Sequence, residues 1–225
     1  YELHADAKYV HYTPNETIGG VAFGYVPETG DVPLVADMSS MILSQPTDVS
    51  KYGVIYAGTQ KNLGPAGMCV VVVRRDLMGH ARTETPTILE YSGMAAHDSM
   101  LNTPPTFGIY LLGKILAWIE AKGGVDGISA INKAKAAALY DFIDVHDFYA
   151  SPVALDSRSI MNVTFLLGNP ELDKKFVSDA TAAGLTNLAG HRSVGGMRAS
   201  IYNAMPREGV DALIAFMDDF AAKNG

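Results

Sequence analysis

The chain reads as an α/β protein with a larger first part and a small carboxyl-terminal α/β part. Three observations predict this class. Four short apolar runs, at residues 8–12, 32–36, 53–57 and 68–74, are bounded by turn-forming residues and read as strands. A stretch from residue 104 to about 143 carries helical periodicity instead. Beyond residue 150, strand and helix signals alternate again.

The first strand is closed by TPNET, the second by DMSS and the third by TQKN. The fourth, in MCVVVVRR, reads as fully buried and holds the single cysteine, Cys69, which is expected to be a buried structural residue. Residues 19–33 are rich in proline and glycine and read as an irregular crossover; residues 46–52 leave room for one or two turns. In PPTFGIYLLGKILAWIEAKGG, Phe107, Leu111, Ile115 and Trp118 recur at spacings of four, four and three, which predicts a helix with these residues on its core face, stopped at Gly123 and Gly124. A second helix is expected over 127–143, where the alanine-rich NKAKAAALYDF favours it. The rest reads as a strand at 158–167, a helix capped near Asn169 with Pro170 first and Gly184 at its end, a short extended LTNLAG, a strand in GGMRASIYN, and a final helix from MPREG onward. The resulting division is 1–125 for the large part, 126–149 for a linking helix region, and 150–225 for the small domain.

With 225 residues, 48% apolar and 18% charged, the composition is that of an ordinary globular protein. A net charge of -7 gives no broad electrostatic reason to expect nucleic acid. No apolar run is long enough to predict a membrane span, and a cytoplasmic protein is expected. One cysteine excludes an internal disulfide. The histidines, at positions 4, 11, 80, 97, 146 and 191, lack metal-ligand spacing, so no metal is expected. The chain opens YELHADAKYVHYTPNET, without methionine and close to a core strand, and an upstream segment is expected.

Chemistry concentrates at the strand ends. Thr17 follows the first strand, Asp37 the second, and Lys61 lies in YAGTQKNLGPAG, on the short connection between the third and fourth. If these strands are parallel, their ends line one edge of the sheet, where open α/β sheets bind ligands. A lysine held among apolar strands can act as a nucleophilic amine, for which an aldehyde cofactor is the natural partner. An aspartate beside it can pair with a ring nitrogen, and the two together suit pyridoxal phosphate. Taken singly, each residue also has a plain structural use: Asp37 and Thr17 as caps, Lys61 as a surface residue of a hairpin.

A second cluster, GHRSVGGMRAS, holds His191, Arg192 and Arg198. Arg198 lies in a strand between Met197 and Ala199 and needs an anionic partner, either a ligand carboxylate or phosphate or an acid of the protein. His191 and Arg192 read equally as anion-contacting residues or as an exposed polar loop. Asn102 and Thr103, in NTPPTFG, are turn formers or an amide and a hydroxyl offered to a phosphate.

Together, HYTPNETIGG, ADMSS, YGVIYAGTQKNLGPAG, SMLNTPPTFGIYLLG, RSIMNV and GHRSVGGMRASIYNAMP closely resemble the phosphoserine aminotransferases, a class V family of pyridoxal-phosphate enzymes of fold type I. The resemblance spans essentially the whole chain. It implies a part of the large mixed-sheet domain of that fold plus its small carboxyl-terminal domain. It makes Lys61 the Schiff-base lysine, Asp37 the partner of the pyridine nitrogen, Thr17 a hydrogen-bond partner of the ring hydroxyl, and Gln60 a phosphate contact. Asn102 and Thr103 would reach the cofactor phosphate of the other subunit of a homodimer. Arg198 would bind the substrate α-carboxylate, and His191 with Arg192 the substrate phosphate. The implied reaction moves an amino group between L-glutamate and 3-phosphohydroxypyruvate, giving O-phospho-L-serine and 2-oxoglutarate, with Lys61 as the proton shuttle. A related four-carbon substrate of pyridoxine synthesis is also implied for many bacterial members. Full-length members carry an additional amino-terminal segment, with the ring-stacking aromatic residue and further arginines, expected here on a second chain of a nicked protein or otherwise missing. Two alternatives stand beside this reading: another fold-type I enzyme, such as an alanine–glyoxylate-type aminotransferase or a desulfurase-like lyase, and an inactive structural or interaction fragment.

Overall fold

The structure, a computed structural model, describes residues 2–225. The strands in chain order are β1 (Val10–Tyr12), β2 (Asn15–Glu16), β3 (Val21–Ala22), β4 (Leu34–Asp37), β5 (Val54–Gly58), β6 (Cys69–Val73), β7 (Tyr149–Ala150), β8 (Asn162–Leu167) and β9 (Met197–Ser200). The α-helices are α1 (Tyr91–Ala96), α2 (Thr106–Ala121), α3 (Gly124–Val145), α4 (Asp173–Ala182) and α5 (Arg207–Asn224). No helix among the described residues is long and apolar enough to cross a membrane.

The chain forms two compact units. The first comprises residues 2–14, 26–42 and 47–120, and the second residues 15–25, 43–46 and 121–225.

In the first unit the sheet order is β1-β4-β5-β6. β1, β4 and β5 are parallel, and β6 returns antiparallel to β5. Alternation along β4 buries Leu34 and Ala36, which join Tyr12, Met38, Tyr52 and Ile55 in a small core. Asp37, on the opposite face, stands at the strand's carboxyl end. β6 departs from the expectation of a fully buried strand. It is the edge of the sheet, its residues are exposed or half-buried, and Cys69 is exposed. A run of valines reports β-propensity, and only neighbouring elements decide whether both faces are covered.

Helix α2 forms where the periodicity places it, but its apolar face is only partly covered. Leu111, Ile115 and Trp118 are half-buried and Ile119 is buried, whereas Phe107 is 72% exposed. Phe107 and Trp118 are thus not the full core residues that the spacing suggests, because a 3.6-residue repeat marks an apolar stripe without supplying its partner.

The second unit has the antiparallel sheet β7-β8-β9 and the hairpin β2–β3. Its core is built from α3, α4, α5 and the inner face of the sheet, with Leu139, Phe165, Phe176 and Met217 fully buried. Phe176 meets Phe220 edge-on at 5.0 Å and Phe165 at 5.8 Å. The helix expected after Asn169 begins as a 3₁₀ turn, with the Asn169 side chain accepting from the Glu171 amide, and ends before Gly184 at φ 86°. The two-residue strands β2, β3 and β7 carry too little periodicity to be read in advance.

Candidate active site

In the first unit, Asp37 and Lys61 lie at the carboxyl ends of adjacent parallel strands. Asp37 ends β4, and its Oδ1 accepts from the Ser39 amide at 2.9 Å. The Ser39 hydroxyl in turn accepts from the Gly58 amide at 3.0 Å, which ties the end of β5 to the end of β4. Beyond Gly58 the chain makes one tight turn: the Thr59 carbonyl accepts from Leu63 at 3.0 Å and Gly64 at 2.8 Å. Lys61 sits half-buried on this turn, between exposed Gln60 and buried Asn62, whose side chain donates to the Ile42 carbonyl at 3.1 Å. Gly64 has φ 154°, which disfavours a side chain, and it lies against Leu112 and Ile115 of α2. The lysine's connection is therefore backed by a helix on one side and a hydrogen-bonded turn on the other. Asn102 and Thr103 also belong to this unit; both are exposed, in the segment leading to α2.

In the second unit, Thr17 and Arg198 come together. Arg198 is half-buried on β9, opposite Thr164 of β8, and its Nη1 donates to the Thr17 carbonyl at 3.4 Å. Its Nε is buried without a hydrogen-bond partner, and no acid among the described residues forms an ion pair with it. The possibility of an internal salt bridge is thus not realised, and the guanidinium stays open to an anion.

His191 and Arg192 lie on the loop that leads into β9, with Arg192 exposed and His191 half-buried. The Ser193 amide donates to His191 Nδ1 at 3.2 Å, and the Ser193 hydroxyl lies 2.7 Å from the same nitrogen. Nδ1 is therefore an acceptor, and the neutral ring carries its hydrogen on Nε2, available for an anion. The loop is anchored by the Gly196 amide, which donates to the Asp173 carboxylate. Burial raises the Asp173 pKa and this hydrogen bond partly offsets the rise. An apolar hollow of about 420 Å³ opens beside the loop, lined by residues such as Ile18, Val153 and Met197. It has no charged lining residue.

Sequence reasoning missed the polar network that holds Thr17's hairpin. Asn15 donates to Asn162 Oδ1 at 2.9 Å and accepts from the Ser159 hydroxyl, while Asn162 donates to Ser200 and to Tyr202, each at 3.1 Å. These partners lie up to 147 residues apart, so no local pattern reports them. It also missed Lys135, a fully buried lysine of α3 that donates to the carbonyls of Ile201, Tyr202 and Met205 at 3.1, 2.9 and 2.8 Å. Its place in the alanine-rich helix, one residue before buried Ala136, was the only available signal.

The sequence pattern of the aminotransferase class-V family matches residues 2–213. The chain is 59% identical over 224 residues to a phosphoserine aminotransferase of Hahella chejuensis, matching all of this chain and 62% of that protein. The structure superposes on a phosphoserine aminotransferase from Bacillus circulans subsp. alkalophilus with a TM-score of 0.97 and 49% identity, over 100% of this chain and 62% of the other. It also superposes on a pyridoxal-phosphate-bound phosphoserine aminotransferase from Trichomonas vaginalis with a TM-score of 0.91 and 42% identity, over 97% of this chain and 62% of the other. The chain thus spans 62% of the length of these relatives. The parallel strand ends carrying Asp37 and Lys61 and the match over nearly all of the sequence lead to one conclusion: the chain belongs to the aminotransferase class-V family.

Proposed function

We propose that the full-length protein carrying this chain is a phosphoserine aminotransferase, using pyridoxal phosphate to exchange an amino group between L-glutamate and 3-phosphohydroxypyruvate. The products are 2-oxoglutarate and O-phospho-L-serine. The observation that carries the reading is a half-buried lysine and a carboxylate at the ends of adjacent parallel strands in a class-V chain. The relatives' names support the substrate class.

The residues fit the cofactor on two counts. Asp37 is an acceptor steadied by a backbone amide, as a partner for a ring nitrogen requires, and Lys61 is an amine on a braced turn. When bound, pyridoxal phosphate supplies an aldehyde for amine capture and a ring that takes up electrons. Asp37 would hold a proton on the ring nitrogen. Lys61 Nζ takes the substrate Cα proton as general base and gives it back as acid. Thr17 would hold the ring hydroxyl, and Gln60 the cofactor phosphate. Arg198 grips the α-carboxylate common to both amino acids, and His191 with Arg192 the phosphate that only one of them carries.

In this reading residues 1–125 form the cofactor domain, 126–149 the linking helix region and 150–225 the small domain. Asn102 and Thr103 complete the partner's phosphate site in a cytoplasmic homodimer. Sedimentation of active protein as a single protomer would count against the dimer. The four-carbon phosphorylated substrate of pyridoxine synthesis belongs to the same substrate class.

The deciding experiment offers the full-length protein glutamate with 3-phosphohydroxypyruvate or its unphosphorylated analogue. Strong preference for the phosphorylated acid is expected. Equal turnover, or preference for glyoxylate, would point to another class-V enzyme, and no turnover to an inactive member.

A further inference from the structure

We propose that Glu16 is a positioning residue for Arg198: its carboxylate fixes the peptide group between Thr17 and Ile18, and the carbonyl of that group holds the guanidinium. The inference rests on the reading of Arg198 as the residue that binds the substrate α-carboxylate.

All the parts lie in the second unit. β2 and β3 pair antiparallel with Glu16 opposite Val21, so residues 17–20 form the turn of the hairpin. The end of this turn is anchored to β8 and the residues before it. The Ser159 amide donates to the Gly20 carbonyl at 3.0 Å, and the Thr164 hydroxyl donates to the Gly19 carbonyl at 2.9 Å. A Cβ on Gly20, whose φ is 74°, would come within 2.6 Å of the Asn162 carbonyl oxygen, so the hairpin lies against β8 more closely than a side chain there allows. Thr164 is also the cross-strand partner of Arg198, and directly opposed residues share a face. The hairpin turn therefore lies on the face of the β8–β9 pair from which Arg198 projects.

The start of the turn is held by one side chain. Glu16 Oε1 accepts from the Ile18 amide at 2.8 Å, and Oε2 accepts from the Gly19 amide at 2.6 Å. Glu16 forms no ion pair among the described residues, so its carboxylate serves the backbone. The Ile18 N–H and the Thr17 C=O belong to one planar peptide group, and in the trans form they point in opposite directions. Binding the N–H therefore aims the C=O. That carbonyl accepts from Arg198 Nη1 at 3.4 Å, while Nε of the same guanidinium is buried with no partner among the described residues. A fork steadied at one point takes its direction from that point. A carboxylate on the N–H side also polarises the peptide group and makes its oxygen a better acceptor. Glu16 thus acts on Arg198 through a single peptide plane.

The test measures kcat and KM of the full-length, pyridoxal-phosphate-loaded protein in each half-reaction, with glutamate and with O-phosphoserine. Glu16→Ala frees the peptide group. It is expected to raise KM about tenfold for both amino acids, the size of a lost hydrogen bond to a charged group, with kcat changed less than about twofold. Glu16→Gln keeps the length but only one acceptor oxygen; it should raise KM about threefold, and it carries the test if the alanine variant does not fold. In an Arg198→Ala background neither change should raise KM further by more than about 1.5-fold, because the group each acts through is gone. A general loosening of the hairpin would persist in that background. If Arg198→Ala weakens both half-reactions but the Glu16 variants leave KM unchanged, or raise it equally in both backgrounds, the positioning role is overturned and the carboxylate reading survives. If Arg198→Ala spares either half-reaction, that reading falls and the positioning role falls with it.

Discussion

Arg198 Nη1 donates to the backbone carbonyl of Thr17 at 3.4 Å, while Nε of the same guanidinium lies buried with no partner among the described residues. A neutral carbonyl orients the fork without neutralising it. The desolvation cost of the unsatisfied Nε is the kind that a bound carboxylate recovers.

Arg198→Ala should therefore weaken both half-reactions, since glutamate and phosphoserine share the carboxylate. Loss of a buried charged contact predicts a fall in kcat/KM equivalent to about 2–4 kcal/mol in each. Arg198→Lys should recover little, because an ammonium cannot make the paired contact. Rapid-mixing measurement of each half-reaction checks this; a loss confined to one of them contradicts the assignment.

Arg192→Ala should behave differently. Arg192 is exposed on the loop into β9, beside a His191 ring whose Nε2 hydrogen is available to an anion. The phosphoserine half-reaction should lose more than the glutamate half-reaction, by about 1–3 kcal/mol. Equal losses would show that this arginine does not read the phosphate.

Lys61→Ala should abolish covalent attachment of the cofactor. Borohydride reduction of the wild-type protein followed by peptide mass mapping should put the adduct on Lys61. An adduct on another lysine, or a variant with normal kcat, would remove Lys61 from the mechanism.

Lys135→Met should destabilise the protein by about 2–4 kcal/mol, because the carbonyls of Ile201, Tyr202 and Met205 lose their common donor. Burial lowers the Lys135 pKa to about 8, against 10.5 for a free lysine. Between these values the unfolded chain binds the proton more tightly than the folded one, so this residue's contribution to stability rises with pH. The wild-type advantage over Lys135→Met, read from denaturant unfolding, should widen as pH climbs through that window. An advantage that narrows there would mean that the three carbonyls outweigh burial and hold the ammonium charged.

Local patterns made much of the fold legible. β4 and β5 are bounded by turn residues, α2 and α3 by glycine, and the helix after Asn169 by its cap and Gly184. These signals act over a few residues and here agree with the fold. The two-residue strands β2, β3 and β7 exist only through their partners, and no run of two residues has a period.

The sequence by itself determined where reactive side chains sit along the chain: Asp37 at a strand end, Lys61 on a short connection, Arg198 inside a strand. Each position follows from backbone chemistry within a few residues. Only the tertiary structure decided that β1, β4 and β5 run parallel, so that Asp37 and Lys61 share one edge. It alone decided that Arg198 has no acid partner among the described residues and that His11 reaches Tyr56 over an intervening strand. It also decided that Lys135 is buried while Cys69 and Phe107 are exposed. Burial and hydrogen-bond partnership are properties of pairs, and here the partners lie tens of residues or more apart. A residue's type therefore states what contact it needs, and the packed chain alone states whether that contact is present.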